Sequence, residues 1–140
     1  MEGAGITNLM LRVIATQTEH RSLVEASLPG IPASVPAARR FVSRALPECP
    51  RAADLMLAAS EFATNAVAWS ASGCGGSFVI RVRQAGRWAR VEVSDAGPAP
   101  VPAASSHGWG LALVAATCDR TGANIGDDGS RTAWAEVTWP

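Results

Sequence analysis

No lysine occurs anywhere in this sequence, and all twelve of its basic residues are arginine. That absence excludes three chemistries. A P-loop needs a lysine to reach the β- and γ-phosphates. A eukaryotic-type protein kinase needs a strand lysine on the α- and β-phosphates. Schiff-base catalysis needs the amine itself. An excess of either charge is lacking too: twelve acidic residues balance the twelve arginines, so a direct nucleic-acid or membrane-surface role is not expected. Cysteine is scarce. Cys49, Cys74 and Cys118 are odd in number and far apart, with no CxxC pair and no zinc spacing, which suits a reduced, cytoplasmic setting. Long apolar runs are missing as well. The stretch from Leu9 to Ala15 is short and broken by Arg12, so neither a signal peptide nor a membrane span is expected.

What is present points to one packed domain. Apolar residues make up 48% of the 140 and charged residues 17%, the balance of a globular core rather than of a disordered segment. Residues 1–21 show no clear period and are expected to be a loose arm before a domain over 22–140. Leu23, Val24, Ala26 and Leu28 suggest a strand closed by Pro29-Gly30. Ser34 reads as the N-cap of a helix that stops before Pro47. A second helix is predicted from about Arg51 to Trp69. Leu55, Ala59, Phe62 and Ala66 form its stripe, and it is apolar on most other sides, so it should be largely buried. Phe78 to Val82 and Ala89 to Val93 alternate as a hairpin. A loop rich in Pro and Ala leads to a third helix near Trp109. A last hairpin turns at Asp127-Asp128-Gly129. The order βααββαββ predicts an α+β two-layer sandwich, a mostly antiparallel mixed sheet packed on about three helices.

Three places carry chemistry. Glu61 and Asn65 stand four apart on the second helix, so their side chains share one face. On a buried helix they need partners, and a hydrated Mg²⁺ with a polar substrate group would supply them. A polar helix edge facing solvent, or a hydrogen bond between the two side chains, would also serve. Asp95 continues the inward face of Ala89, Val91 and Val93 at the end of a strand. It either meets a donor such as an exocyclic amine or caps the turn that follows. Gly108-Trp109-Gly110-Leu111 opens the third helix, where glycine lets a backbone approach a ligand and free N–H groups attract phosphate. An ordinary loop-to-helix junction also favours glycine. Thr132 on the last strand could donate to a ligand or simply suit the pleat.

In this order the motifs resemble the Bergerat-type ATP site of the GHKL superfamily, and most of all its small bacterial branch of anti-sigma-factor serine/threonine kinases. The resemblance runs from about Ser22 to Trp139. Glu61-Phe62-Ala63-Thr64-Asn65-Ala66 resembles the N box, Val93-Ser94-Asp95-Ala96-Gly97 the first glycine box, and Gly108-Trp109-Gly110-Leu111 the second. Thr132-Ala133-Trp134-Ala135-Glu136 resembles the closing strand. The resemblance implies ATP and Mg²⁺, with Asn65 as the metal ligand and Glu61 as the general base. It implies Asp95 on the adenine amine, supported by Thr132 directly or through water. Gly97, Gly108, Gly110 and Leu111 would frame the phosphates. The implied partners are a small anti-anti-sigma-like protein and a sigma factor, and a homodimer is suggested.

The chain departs from the family at three points. Pro98 or Ala99 stands where a second glycine usually follows the first box. Trp69 replaces a frequent histidine. The lid from Pro98 to His107 has no Lys or Arg for the γ-phosphate. These departures bear on catalysis more than on binding, so the alternative is an ATP-binding regulatory interaction module with little or no kinase activity.

Overall fold

The computed structural model describes residues 13–18, 21–98 and 108–140. The elements in chain order are β1 (Val13–Thr18), β2 (Arg21–Pro29), α1 (Ser34–Ala45), α2 (Ala52–Trp69) and a 3₁₀ turn (Ala71–Gly73). They continue with β3 (Ser77–Ala85), β4 (Trp88–Asp95), α3 (Gly108–Thr117), β5 (Arg120–Ile125) and β6 (Arg131–Thr138). The strands form one sheet in the order β1-β2-β3-β4-β6-β5. Every pairing between these strands is antiparallel, so the mixed character expected of the sheet is not seen among the described residues. The loose-arm expectation also needs correction over part of its length: Val13–Thr18 pairs with β2 as an edge strand, Val13 opposite Ala26 and Thr18 opposite Arg21.

The two layers follow from strand alternation. Ala26, Leu28, Phe78, Ile80, Val82, Ala89, Val91, Val93, Ala135 and Val137 are all buried on the helix side. Against them lie Phe41 and Val42 of α1, Leu55, Ala58, Ala59, Phe62, Ala63 and Ala66 of α2, and Val114 of α3. The alanines give α2 high helix propensity and bring its backbone close to the sheet. Ser34 is the first residue of α1, not its N-cap. Ala33 takes that place without a side-chain cap, and the Ser34 hydroxyl is fully buried without a hydrogen-bond partner. The opposite sheet face carries a ladder of charge. Arg81 pairs with Glu25, and Arg90 with Glu92 at 2.8 Å and Glu136 at 2.5 Å. The Arg90 guanidinium also lies 4.3 Å from the centre of the Trp134 ring. Burial pushes the Cys49 and Cys118 thiols up, so neither is an activated nucleophile.

One guanidinium ties together the ends of three elements. Arg51 donates to Asp54 at 3.0 Å, to both Asp119 oxygens at 2.8 and 2.7 Å, and to the carbonyls of Thr117 and Thr138 at 2.7 and 3.1 Å. Asp119 in turn accepts from the Thr138 amide at 2.7 Å. The start of α2 is thereby tied to the ends of α3 and β6. The Arg51 hydrogen bond, then the Thr138 amide, hold the Asp119 carboxyl below its ordinary range. A carboxyl depressed in the folded state contributes stability above its unfolded pKa and loses it as pH falls through the folded one. Asp119→Asn should therefore lower the Tm at neutral pH, and its gap to wild type should shrink below about pH 4. A Tm difference unchanged from pH 7 to pH 3 would refute this role for the carboxylate.

Candidate functional site

The site is built where the C-terminal end of α2 meets the C-terminal end of β4. The segment after β4 is held from both sides. The Ala71 amide donates to the Gly97 carbonyl at 2.8 Å, Ser70 bridges Pro98, and the Ser72 hydroxyl accepts from the Ala96 amide at 2.9 Å. On the other side Gly97 lies against the turn between β5 and β6. Its φ is +86°, and a methyl built on it would stand 2.2 Å from the Gly129 carbonyl oxygen. Only glycine fits this combination of left-handed backbone and close approach. Ser70, Ser72 and Gly129 were not legible as site-forming residues, because their partners are distant in sequence.

Glu61 and Asn65 share a face of α2 as their spacing predicts. Glu61 is half-buried and Asn65 is 8% exposed. The Glu61 carboxylate reaches the first turn of α3: a methyl on Gly110 would stand 1.7 Å from its Oε1. Gly110 thus leaves the space that the Glu61 carboxylate occupies. α3 begins at Gly108, and the N–H groups that open a helix have no partner within it, so a carboxylate and an anion-binding helix end stand side by side. The Asn65 amide makes no hydrogen bond among the described residues. The residue is nearly buried, yet its amide atoms are not among those sealed from solvent without a partner, so they are accessible to water or to a ligand. Leu111 is 40% exposed and contributes little to the core; Val114 is the residue by which α3 is anchored there. His107 and the lid residues 99–107 lie outside the described residues.

Asp95 is buried in phase with Ala89, Val91 and Val93, as alternation predicts. The turn cap raised for it is present, and a protein guanidinium is its second donor. Its Oδ1 accepts from the Gly97 amide at 2.8 Å, which caps the turn. Its Oδ2 accepts from Arg131 at 3.1 Å. The structure does not bring Thr132 to Asp95. Thr132 pairs with Ser94 in the ladder, and their hydroxyls are 2.7 Å apart on the charged face of the sheet. The residue opposite Asp95 is Arg131, which the sequence reading passed over. The available signal was its phase: Arg131 alternates with Ala133, Ala135 and Val137 on the apolar face.

The fit to nucleotide and metal can be judged from these groups. Among the described residues no group of three or more His, Cys, Asp or Glu side chains could hold a metal alone. Mg²⁺ suits such a site, since it keeps several waters and takes one or two protein ligands with substrate phosphates. Asn65, carrying an unpartnered side-chain oxygen, fits as that ligand. No helix among the described residues is long and apolar enough to cross a membrane.

Comparison with known families decides the assignment. The profile of the histidine kinase-like ATPase domain matches residues 28–133, a span holding every candidate from Glu61 to Thr132. The chain belongs to this family. As a histidine kinase-like ATPase domain it has ATP as its implied ligand. Among solved structures it is similar to the RsbU and RsbW domains of Rv1364c from Mycobacterium tuberculosis, with a TM-score of 0.62 at 24% identity. The likeness covers 81% of this chain and 32% of that one, and at this identity it shows a shared fold. No curated protein matches the chain.

Proposed function

We propose that this ATPase domain binds ATP with Mg²⁺ and transfers the γ-phosphoryl group to a serine or threonine of a small anti-anti-sigma-like partner. The observation that carries this reading is the Glu61 carboxylate against the first turn of α3, at Gly110. It puts a proton acceptor beside the helix end best suited to hold phosphate. Phosphoryl transfer asks mainly for positioning and charge stabilisation, and neither requires lysine.

In this reading Glu61 takes the proton of the partner hydroxyl. The new oxygen–phosphorus bond forms as the bond to the β,γ-bridging oxygen breaks, and ADP leaves. Asn65 holds the metal. Mg²⁺, when bound, supplies positive charge to the phosphate oxygens. The amides of Gly108, Gly110 and Leu111 face the phosphates, Gly97 lets the segment after β4 turn, and Asp95 accepts from the adenine amine. The setting is cytoplasmic, a sigma factor is the further partner, and the working form is a homodimer.

The test is transfer of labelled γ-phosphate to a partner of this kind. Glu61→Gln should lower the transfer rate by at least about 100-fold, the usual worth of a positioned base, while ATP binding persists. Transfer unchanged by Glu61→Gln removes Glu61 from the mechanism. Binding without turnover on any partner favours the second reading, a regulatory module whose nucleotide sets partner affinity. The Arg131–Asp95 ion pair occupies the carboxylate expected to read the base, which bears on nucleotide affinity in both readings.

A further inference from the structure

Resting on the nucleotide reading above, the geometry points to Arg131 as an internal competitor for the nucleotide base: its guanidinium must leave Asp95 before a base can reach that carboxylate. Arg131 Nη2 lies 3.1 Å from Asp95 Oδ2, and the two side chains are 30% and 4% exposed. The Gly97 amide already holds Oδ1. With the guanidinium in place the carboxylate is nearly buried, and each of its oxygens already accepts one hydrogen bond.

Arg131 stands on the apolar side of β6, in phase with Ala133, Ala135 and Val137. Its contact with Asp95 is the sole ion pair or side-chain hydrogen bond it makes among the described residues. By contrast Arg51, Arg81 and Arg90 each have two or more partners. A single bond and a partly wet side chain let the guanidinium swing to water by a rotamer change. The backbone stays where it is, because the ladder pairs Asp95 with Arg131 and Ser94 with Thr132. The exchange replaces a charge-assisted hydrogen bond by one from a neutral exocyclic amine, which is the weaker kind. Arg131 therefore lowers the affinity for any base that presents such an amine, and a partner that draws Arg131 away would raise it.

The experiment is calorimetric titration of the whole chain with ATP-Mg²⁺ and, separately, with adenosine. Wild type, Arg131→Ala, Arg131→Gln and Asn65→Ala would be compared. Arg131→Ala should bind both ligands about tenfold tighter, equal to about 1.4 kcal/mol, with Arg131→Gln between it and wild type. Its Tm without ligand should fall, because Asp95 loses its cation. Loss of a positive charge would by itself weaken ATP binding, and it would leave adenosine unmoved, so the sign and the adenosine result isolate the competition. Equal or weaker binding of both ligands by Arg131→Ala, with wild-type binding intact and Asn65→Ala defective in ATP binding, overturns the competitor role and leaves the nucleotide site standing. No binding of either ligand by wild type or by either Arg131 variant overturns the nucleotide reading and this inference with it. Arg131→Gln keeps the question decidable if Arg131→Ala does not fold.

Discussion

Asn65→Ala should abolish the stabilisation that ATP-Mg²⁺ confers. At nucleotide near 100 times its Kd, a single site that binds only the folded state adds about 2.7 kcal/mol. The variant should show none of that gain at the same concentration. The reason is the place of the residue: Asn65 is 8% exposed, its amide makes no hydrogen bond among the described residues, and its polar atoms are not sealed from solvent, so they are free to meet a metal ion. The same fact predicts the unliganded behaviour. Alanine is the strongest helix former, and the substitution removes no hydrogen bond to a described residue. Asn65→Ala without nucleotide should therefore melt no lower than wild type. A thermal-shift titration checks both halves. A full nucleotide shift in the variant would take Asn65 out of the metal site, and a large drop in the unliganded Tm would mean that the amide has a structural partner instead.

Gly97→Ala should be strongly destabilising. A left-handed backbone costs an L-residue about 1–2 kcal/mol, and the φ of +86° at Gly97 lies in that region. The new Cβ would also meet the Gly129 carbonyl oxygen at 2.2 Å and its carbon at 3.2 Å. Neither atom belongs to a flexible side chain, so the whole turn before β6 must shift. Together these effects should cost about 3 kcal/mol or more, a fall in Tm of roughly ten degrees. Gly86→Ala is the control. Its φ is +58° with nothing within 4 Å of the added Cβ, so it should lose only the backbone part. Equal losses at the two positions in thermal melts would show that the contact with Gly129 relaxes freely. The Gly97 shift should also weaken nucleotide binding, because the Gly97 amide positions Asp95 Oδ1 at 2.8 Å.

Much of this molecule was legible because the relevant signals are local. Helix period put Glu61 and Asn65 on one face of α2. Strand period put Asp95 inward with Val91 and Val93. The two-layer architecture followed from the order of periodic segments. Val13–Thr18 was not legible, since an edge strand exists through its partner's ladder and its own sequence carries little pattern. The Ser34 boundary was off by one residue, as cap positions depend on local geometry more than on residue type.

The partners of the site residues were a different matter. Nothing within a few positions of Asp95 announces Arg131, which lies 36 residues on and reaches it by the pairing of β4 with β6. The same holds for Arg51 on Asp119, 68 residues apart, and for Gly110 against Glu61. Thr132 shows the converse: its identity suited a ligand contact, and register turned it to the other face with Ser94. Sequence by itself determined which residues have chemistry to offer and which way each element presents them, because side-chain direction follows from the 3.6 and 2.0 periods. Only the tertiary structure decided which of those groups meet, because that depends on strand register and on which chain ends are packed together. For Asp95 the packing set a cation over a carboxylate that the sequence had left open to a base.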